Sequence, residues 1–329
     1  MAFNVGSAPV GVLARALTGN IFIEKSLAFM NEGDKDGYNA YKHDIANVLR
    51  ARSANPVTSI SNTSKIGNFK RSLVVVESFE TFDPADYYSH WKDFQPAGEF
   101  QWEGLPAEVQ AVLEELFLGT AASATEAELT TGDGTLLTGL IDQLLATAYA
   151  TQLNGSTATP TQVTANTAIA FRAHGAGSGD ELGVVLTTAN IFQKFELLIK
   201  NQNKEMRKRP GRKFMVSHGT ADLVREAQRL ELNFKGVDVT EEGILRYAGF
   251  EIIENPSFPD DTIILASMTG DFKTDAIQMG TSLSSDFNNL EVNRISAFGR
   301  HWGMLLTFAI DIFVVRPEEV CFYSTDTLI

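Results

Sequence analysis

Apolar residues recur at helical spacing in some stretches of this chain and at strand spacing in others. Leu105-Pro106 suits a first helical turn, where proline's missing N–H is not needed. Val109, Val112, Leu113, Leu116 and Phe117 then follow the i, i+3, i+4 pattern of one buried helix face, with Gly119 as the expected stop. Asp133-Gly-Thr135 leads into a second helix carrying Leu136, Leu137, Leu140, Ile141, Leu144, Leu145 and Ala148 on one stripe. The longest predicted helix runs from Thr188, a candidate N-cap, to about Lys208. Ile191, Phe192, Phe195, Leu198 and Ile199 form its apolar face, and Pro210-Gly211 ends it. Val10–Leu17 and Tyr38–Arg52 read as short helices, the second with Ile45, Val48 and Leu49 on one face.

Strand character is strongest in Leu73–Phe79, rich in β-branched residues, directly after a polar, basic loop tip at residues 61–70. A compact α/β piece is expected farther on. Phe214–Ser217 reads as a strand, Thr220–Leu230 as a helix, and Phe250–Ile253 and Thr262–Ala266 as strands, with Asn255-Pro256 and Pro259-Asp-Asp261 as turns. Ala276–Gly280, Leu290–Ala297 and Trp302–Val315 close the chain as strands. Residues 154–183 are small and polar, and predict a loop with one strand near Ala168–Arg172. Eight aromatics crowd Phe79 to Trp102, Trp91 and Trp102 among them; core packing explains them, and so does an anchor at a subunit contact.

Charge narrows the function. With 41 acidic and 27 basic residues, the formal net charge is −14, a poor match to a chain that grips phosphate backbones. An acidic surface keeps subunits soluble and repels DNA. Cys321 is the single cysteine, so no intrachain disulfide and no cysteine-based zinc site can form, as expected of a chain made in a reducing cytoplasm. The opening Met1-Ala-Phe-Asn-Val-Gly6 lacks a secretory pattern. No run approaches the roughly 18 apolar residues of a membrane span; the longest, near Met304–Val315, is broken by Thr307 and Asp311. A soluble, intracellular chain that contacts no membrane is expected.

Catalytic signatures are missing. The five histidines (His43, His90, His174, His218, His301) have no metal-ligand spacing. Ser217-His218 are strand neighbours that point to opposite faces, so cap chemistry is the natural reading. Gly175-Ala-Gly-Ser-Gly179 lacks the Lys-Ser/Thr of a phosphate loop and is followed by Asp180-Glu181. No cofactor and no catalytic residue is nominated. One charge concentration stands out: Lys204, Arg207, Lys208, Arg209, Arg212 and Lys213 against Glu205 alone. Cations complement a helix C-terminus; contact with an acidic copy of the chain, or with nucleic acid, is the sharper alternative.

Taken in order, these features resemble the Hong Kong 97-type major capsid proteins of tailed phages. Lys213–Val224 looks like the strand-then-helix entry of their axial domain, and Tyr247–Pro256 with Pro259–Leu265 resembles its central hairpin and return. Ala276–Gly280 and Arg294–Val315 resemble the closing sheet of the peripheral domain. The resemblance implies an α+β fold with an N-terminal arm (1–60), an extended β-loop (61–80), a peripheral domain with a spine helix (81–212), an inserted axial domain (213–270) and a return to the peripheral domain (271–329). The spine helix would start at Leu105-Pro106 or, as second choice, be the Thr188 helix. Residues 1–30 and the 61–79 loop would supply much of the contact area.

Such a chain is a structural subunit, not an enzyme, assembled in the host cytoplasm and resident in the virion. Its partners would be its own copies in pentamers and hexamers, a separate scaffolding protein, a portal, cement proteins and packaged DNA by non-specific contact. Candidate contact residues are Lys65, Lys70, Arg71, Trp91, Trp102, Arg207, Lys208 and Arg209. The alternatives are a nanocompartment shell around a cargo enzyme and, third, an α/β enzyme with an unrecognised carboxylate site.

Overall fold

Long-range strand pairing organises the chain into two sheets and a separate ribbon. The structure is a computed structural model that describes residues 21–33, 37–45, 64–83, 107–132, 134–145, 169–175, 181–230, 245–271, 273–282, 290–295 and 301–326. The first half contains α1 (Ile21–Glu24), β1 (Phe29–Gly33), β2 (Tyr38–Ile45), β3 (Ser64–Arg71), β4 (Val74–Phe82), α2 (Ala107–Thr131) and α3 (Leu140–Leu145). Next come β5 (Phe171–His174), β6 (Glu181–Leu182), α4 (Ile191–Lys200), α5 (Lys204–Lys208), β7 (Arg212–Ser217) and α6 (His218–Leu230). The rest is β8 (Arg246–Tyr247), β9 (Phe250–Asn255), β10 (Ile263–Ser267), β11 (Ile277–Ser282), β12 (Leu290–Arg294), β13 (Trp302–Val314), a 3-10 turn at Pro317–Glu319 and β14 (Cys321–Tyr323).

Seven strands form one sheet in the order β6-β5-β14-β10-β7-β9-β8. Its residues alternate between two cores, as the two-residue period of a strand requires. Phe214, Val216, Ile252, Ile263, Leu265, Cys321 and Tyr323 pack with Ile191, Phe195 and Leu198 of α4 and Ala221 and Val224 of α6. Met215, Ile253, Ile264, Ala266 and Phe322 face the other way, into a core shared with α2 and α3. All five residues of β10 are therefore buried. The sheet is a middle layer with helices on both sides.

The second sheet is built on β13. Along one edge β11 pairs with Ile310–Val314 and β12 with Trp302–Leu306; along the other, β4 pairs with Trp302–Ile310. β1 extends the sheet beyond β11 in parallel. Its inner face (Met304, Leu306, Phe308, Ile310 and Ile312) packs in the α2–α3 core. Gln143 of α3 is buried there and donates to the Ile312 carbonyl at 2.7 Å, satisfying a polar group that would otherwise be costly to bury.

Several sequence expectations are corrected. Residues 38–45 are a strand, not a helix: they pair antiparallel with Ser64–Arg71 from Tyr38↔Arg71 to Ile45↔Ser64, so residues 64–70 are ribbon and not a loop tip. Gly119 does not stop α2, which runs 25 residues to Thr131. An exposed helical glycine costs only about 1 kcal/mol against alanine, and the buried positions Ala121, Ala122, Thr125, Leu129 and Thr130 continue the same inward face.

The helix expected from Thr188 to Lys208 is two helices. Asn190, not Thr188, precedes the first, and Asn203 restarts the second by accepting from Met206 N at 2.6 Å. Asn201 meanwhile bonds back to the Leu197 carbonyl, so the Asn-Gln-Asn stretch offers side-chain partners that compete with the helical ladder. The strands Phe171–His174, Glu181–Leu182 and Cys321–Tyr323 join the seven-stranded sheet. Within the expected arm, Phe22 and Leu27 are fully buried in the chain's own core, while Glu24, Lys25 and Ser26 are exposed. The expected Val10–Leu17 helix, the aromatic positions 87–102, Trp91 and Trp102 included, and the glycine-rich 176–180 lie outside the described residues.

Burial pushes the Cys321 thiol up to about 12, despite the opposing influence of Arg207. The folded protein is expected to give essentially no reaction with a thiol reagent at pH 8 and one equivalent after denaturation. A fast one-equivalent reaction in the folded state would contradict this packing.

Candidate assembly surface

Three regions carry unusual chemistry. The first is the base of the ribbon, where β2 and β3 meet the five-stranded sheet. β13 is apolar for most of its length, yet Asp311 lies within it and is 1 % exposed. The Tyr38 hydroxyl donates to Asp311 Oδ2 at 2.8 Å. Arg71 donates through Nε to Oδ2 at 3.0 Å and through Nη2 to Oδ1 at 3.1 Å, a bidentate charge-assisted pair. Its guanidinium lies 4.7 Å from the centroid of the Phe313 ring. Burial first, and then the Asp311 charge, hold the Tyr38 hydroxyl well above its usual range. Burial opposes the Arg71 charge, but the Asp311 bonds outweigh it and raise that group too. Arg71, a candidate contact residue, is thus committed within the chain. Lys70 and Lys65 sit on the same strand, in register with Asn39 and Asp44.

The second region is the outer face of the same sheet. Along β4 the inner residues Val74 and Val76 pack against the core, while Val75 and Phe79 point outward and are 63 % and 58 % exposed. Val75 is in register with Ala309, Glu77 with Thr307 and Phe79 with Leu305. Ile295, 52 % exposed, shares the space over Gly303 with the Phe79 ring. Exposed aromatic and branched side chains thus lie on one sheet face, with Glu77 and Glu291 beside them. β3 enters β4 through Ser72-Leu73 at the Val74 end, so the described ribbon leaves from the end of β4 opposite Phe79.

The third region is the basic segment, and much of its charge is spent internally. Arg209 grips Glu319 with Nε and Nη2 at 3.0–3.1 Å, and the Glu319 side chain is 3 % exposed. Arg212 donates to Gln202 Oε1 at 2.5 Å and lies over the Phe250 ring, its pKa lowered by burial and then by Arg207. Lys213 pairs with Glu251 at 3.4 Å across β7 and β9. Arg207 donates to the Lys200 carbonyl and Lys208 pairs with Glu205 at 2.9 Å, both on the surface. The segment is chiefly a structural clasp that leaves Lys204, Arg207 and Lys208 exposed.

Other polar groups serve the fold. The Ser217 hydroxyl accepts from Thr220 N at 3.0 Å at the start of α6, while His218 Nδ1 lies 2.9 Å from Glu254, so the two form no dyad. Among the described residues no group of three His, Cys, Asp or Glu side chains is placed to hold a metal, and no helix is long and apolar enough to cross a membrane. Glu126 of α2, buried between Ile21 N and the Ser257 hydroxyl at 3.4 Å each, has its pKa raised by burial and, less, by Glu24. A carboxyl raised in the folded state binds more protons there, so its ionisation removes stability as pH rises past its unfolded value. Glu126→Gln is therefore expected to flatten the loss of thermal stability as pH rises above about 4.5, the ordinary value of the carboxyl. An unchanged slope would show that Glu126 ionises freely.

No protein-family model matches the sequence, and no curated protein is similar to it. Solved structures are similar in fold. The capsid of a native GTA particle matches with a TM-score of 0.54 and 14% identity over 95% of this chain and 90% of that one. The procapsid of satellite phage P4, which includes its size determination protein, matches at 0.50 with 10% identity over 99% and 93% of the two chains. The holo-SrpI encapsulin of Synechococcus elongatus PCC 7942 matches at 0.50 with 12% identity over 92% and 86%. The α+β fold is that of the Hong Kong 97-type capsid proteins.

Proposed function

We propose that this chain is a shell subunit, the major capsid protein of a tailed phage, which assembles as pentamers and hexamers around double-stranded DNA. The observation that carries the reading is the open apolar face of Val75, Phe79 and Ile295, on a capsid fold whose β2–β3 ribbon pairs with no other strand among the described residues. A monomer gains nothing from exposing that face, whereas heterologous packing of identical subunits would bury it. Lys204, Arg207 and Lys208, exposed on α5, supply positive charge in a chain of net −14, so contacts between copies can be complementary.

In this reading the ribbon is the extended loop and α2 is the spine helix. The seven-stranded sheet forms the axial part and the five-stranded sheet the peripheral part. Scaffolding protein, portal, cement proteins and DNA are the further partners, and the virion is the destination.

The SrpI encapsulin match favours a second reading, a compartment shell around protein cargo. Contents distinguish the two. Shells recovered from the native source should hold nuclease-protected double-stranded DNA and one distinct portal vertex if the phage reading holds. Shells with cargo protein, no DNA and uniform vertices would replace it with the compartment.

A further inference from the structure

At the ribbon's base two cross-strand partners, Tyr38 and Arg71, reach one buried carboxylate of the five-stranded sheet. We propose that Asp311 is a positioning residue that fixes the direction in which the β2–β3 ribbon leaves the five-stranded sheet, with Tyr38 and Arg71 as its paired clamps. Tyr38 is the first residue of β2 and Arg71 the last of β3, and they are cross-strand partners. Both reach the same carboxylate, one through a hydroxyl at 2.8 Å and the other through two guanidinium nitrogens at 3.0 and 3.1 Å.

Three bonds from two strands onto one rigid group fix a rotation as well as a distance. One contact would leave the ribbon free to swing about it. The surroundings are shaped to this geometry. A Cβ on Gly280, the register partner of Asp311, would meet the Tyr38 ring at 2.1 Å. Gly37, at φ +100°, brings the chain so close to Arg71 that a Cβ would stand 1.9 Å from the Arg71 carbonyl oxygen. The Phe313 ring sits under the guanidinium.

Stability alone does not account for this choice. Aspartate in an otherwise apolar strand carries a large desolvation cost, and buried ion pairs can often be exchanged for well-packed apolar residues with no loss of stability. What apolar packing lacks is direction. Hydrogen bonds have it, and a carboxylate facing a guanidinium fork has it in two dimensions. Beyond its base the ribbon pairs with no other strand among the described residues, so its aim is set at the base, where this clamp sits beside the core packing of Ala40. If the chain is a shell subunit, as proposed above, that aim sets where the ribbon meets a neighbour. The clamp then pre-organises assembly, and its orientation lowers the ordering cost of each contact.

The test separates aim from stability. In the full-length chain, spin labels at His43→Cys on β2 and Glu226→Cys on α6 report the ribbon-to-body distance, and buried Cys321 takes up no label. The combined variant Tyr38→Phe, Arg71→Met, Asp311→Leu should stay folded, with a melting temperature close to the parent's. Its distance distribution should widen at least twofold, and any shells it forms should vary in size. Arg71→Lys keeps the charge, loses the fork and should widen the distribution by a smaller amount, which preserves the test if the combined variant fails to fold. A folded variant with the parent's narrow distribution would overturn the proposal. The distances are measured on dispersed subunits, so absence of shells from the parent protein would count against the proposed function and leave this result standing.

Discussion

Val75→Asp with Phe79→Asp is expected to abolish shell formation while leaving the subunit folded. Both side chains are more than half exposed, so their replacement costs the isolated fold little, roughly 0.5 kcal/mol or less at each site. In an assembled contact the loss is larger. Burying a Phe or Val side chain contributes about 1.5–3 kcal/mol, and placing a carboxylate there adds a desolvation cost beside Glu77 and Glu291. Each ~1.4 kcal/mol lost is a tenfold change in an association constant, so the pair of substitutions should raise the concentration needed for assembly by more than 100-fold. Sedimentation and circular dichroism on the same sample check both halves of the expectation. Normal shells from the variant would remove this face from the assembly surface.

The second large effect is on folding. Glu319→Ala leaves Arg209 facing a hole at the junction of α5, the 3-10 turn and β14, with Arg316 Nη1 already 3.9 Å from Glu319 Oε1. Removing one member of a buried ion pair typically costs about 3–5 kcal/mol, because the remaining charge stays desolvated. The companion Arg209→Met with Glu319→Met should recover much of that loss. Urea denaturation of the two variants decides the matter, and equal destabilisation would mean that the loss comes from something other than the stranded Arg209 charge, such as the buried Arg316 beside Glu319.

Legibility in the sequence followed burial. Strands β7, β10 and β13 and helix α6 were readable because their apolar spacing reports a buried face, and the alternation of Phe214, Met215 and Val216 between two cores is the same pattern seen in space. The ribbon strand β2, Tyr-Asn-Ala-Tyr-Lys-His-Asp-Ile, has no apolar alternation to betray it, and its partner enters from Ser64–Arg71. The break between α4 and α5 had a signal in Asn201-Gln-Asn203, but apolar periodicity on the Ile191 side masked it.

Candidate contacts divide in the same way. Arg71 and Arg209 look like free surface cations in sequence, because their partners Asp311 and Glu319 lie 240 and 110 residues away. Asp311 itself was visible only as an interruption of an apolar run, and a lone acid in a strand is the one mark that could have nominated it. Phe79 and Ile295 belong to a single surface only once β4 and β12 lie on opposite edges of β13.

The central claim is that this chain closes into shells, and electron microscopy of the purified full-length protein, alone and with a candidate scaffolding protein, tests it most directly. Closed particles, or rings of five and six subunits, are the predicted result. Monomers or dimers that persist under every assembly condition would contradict it.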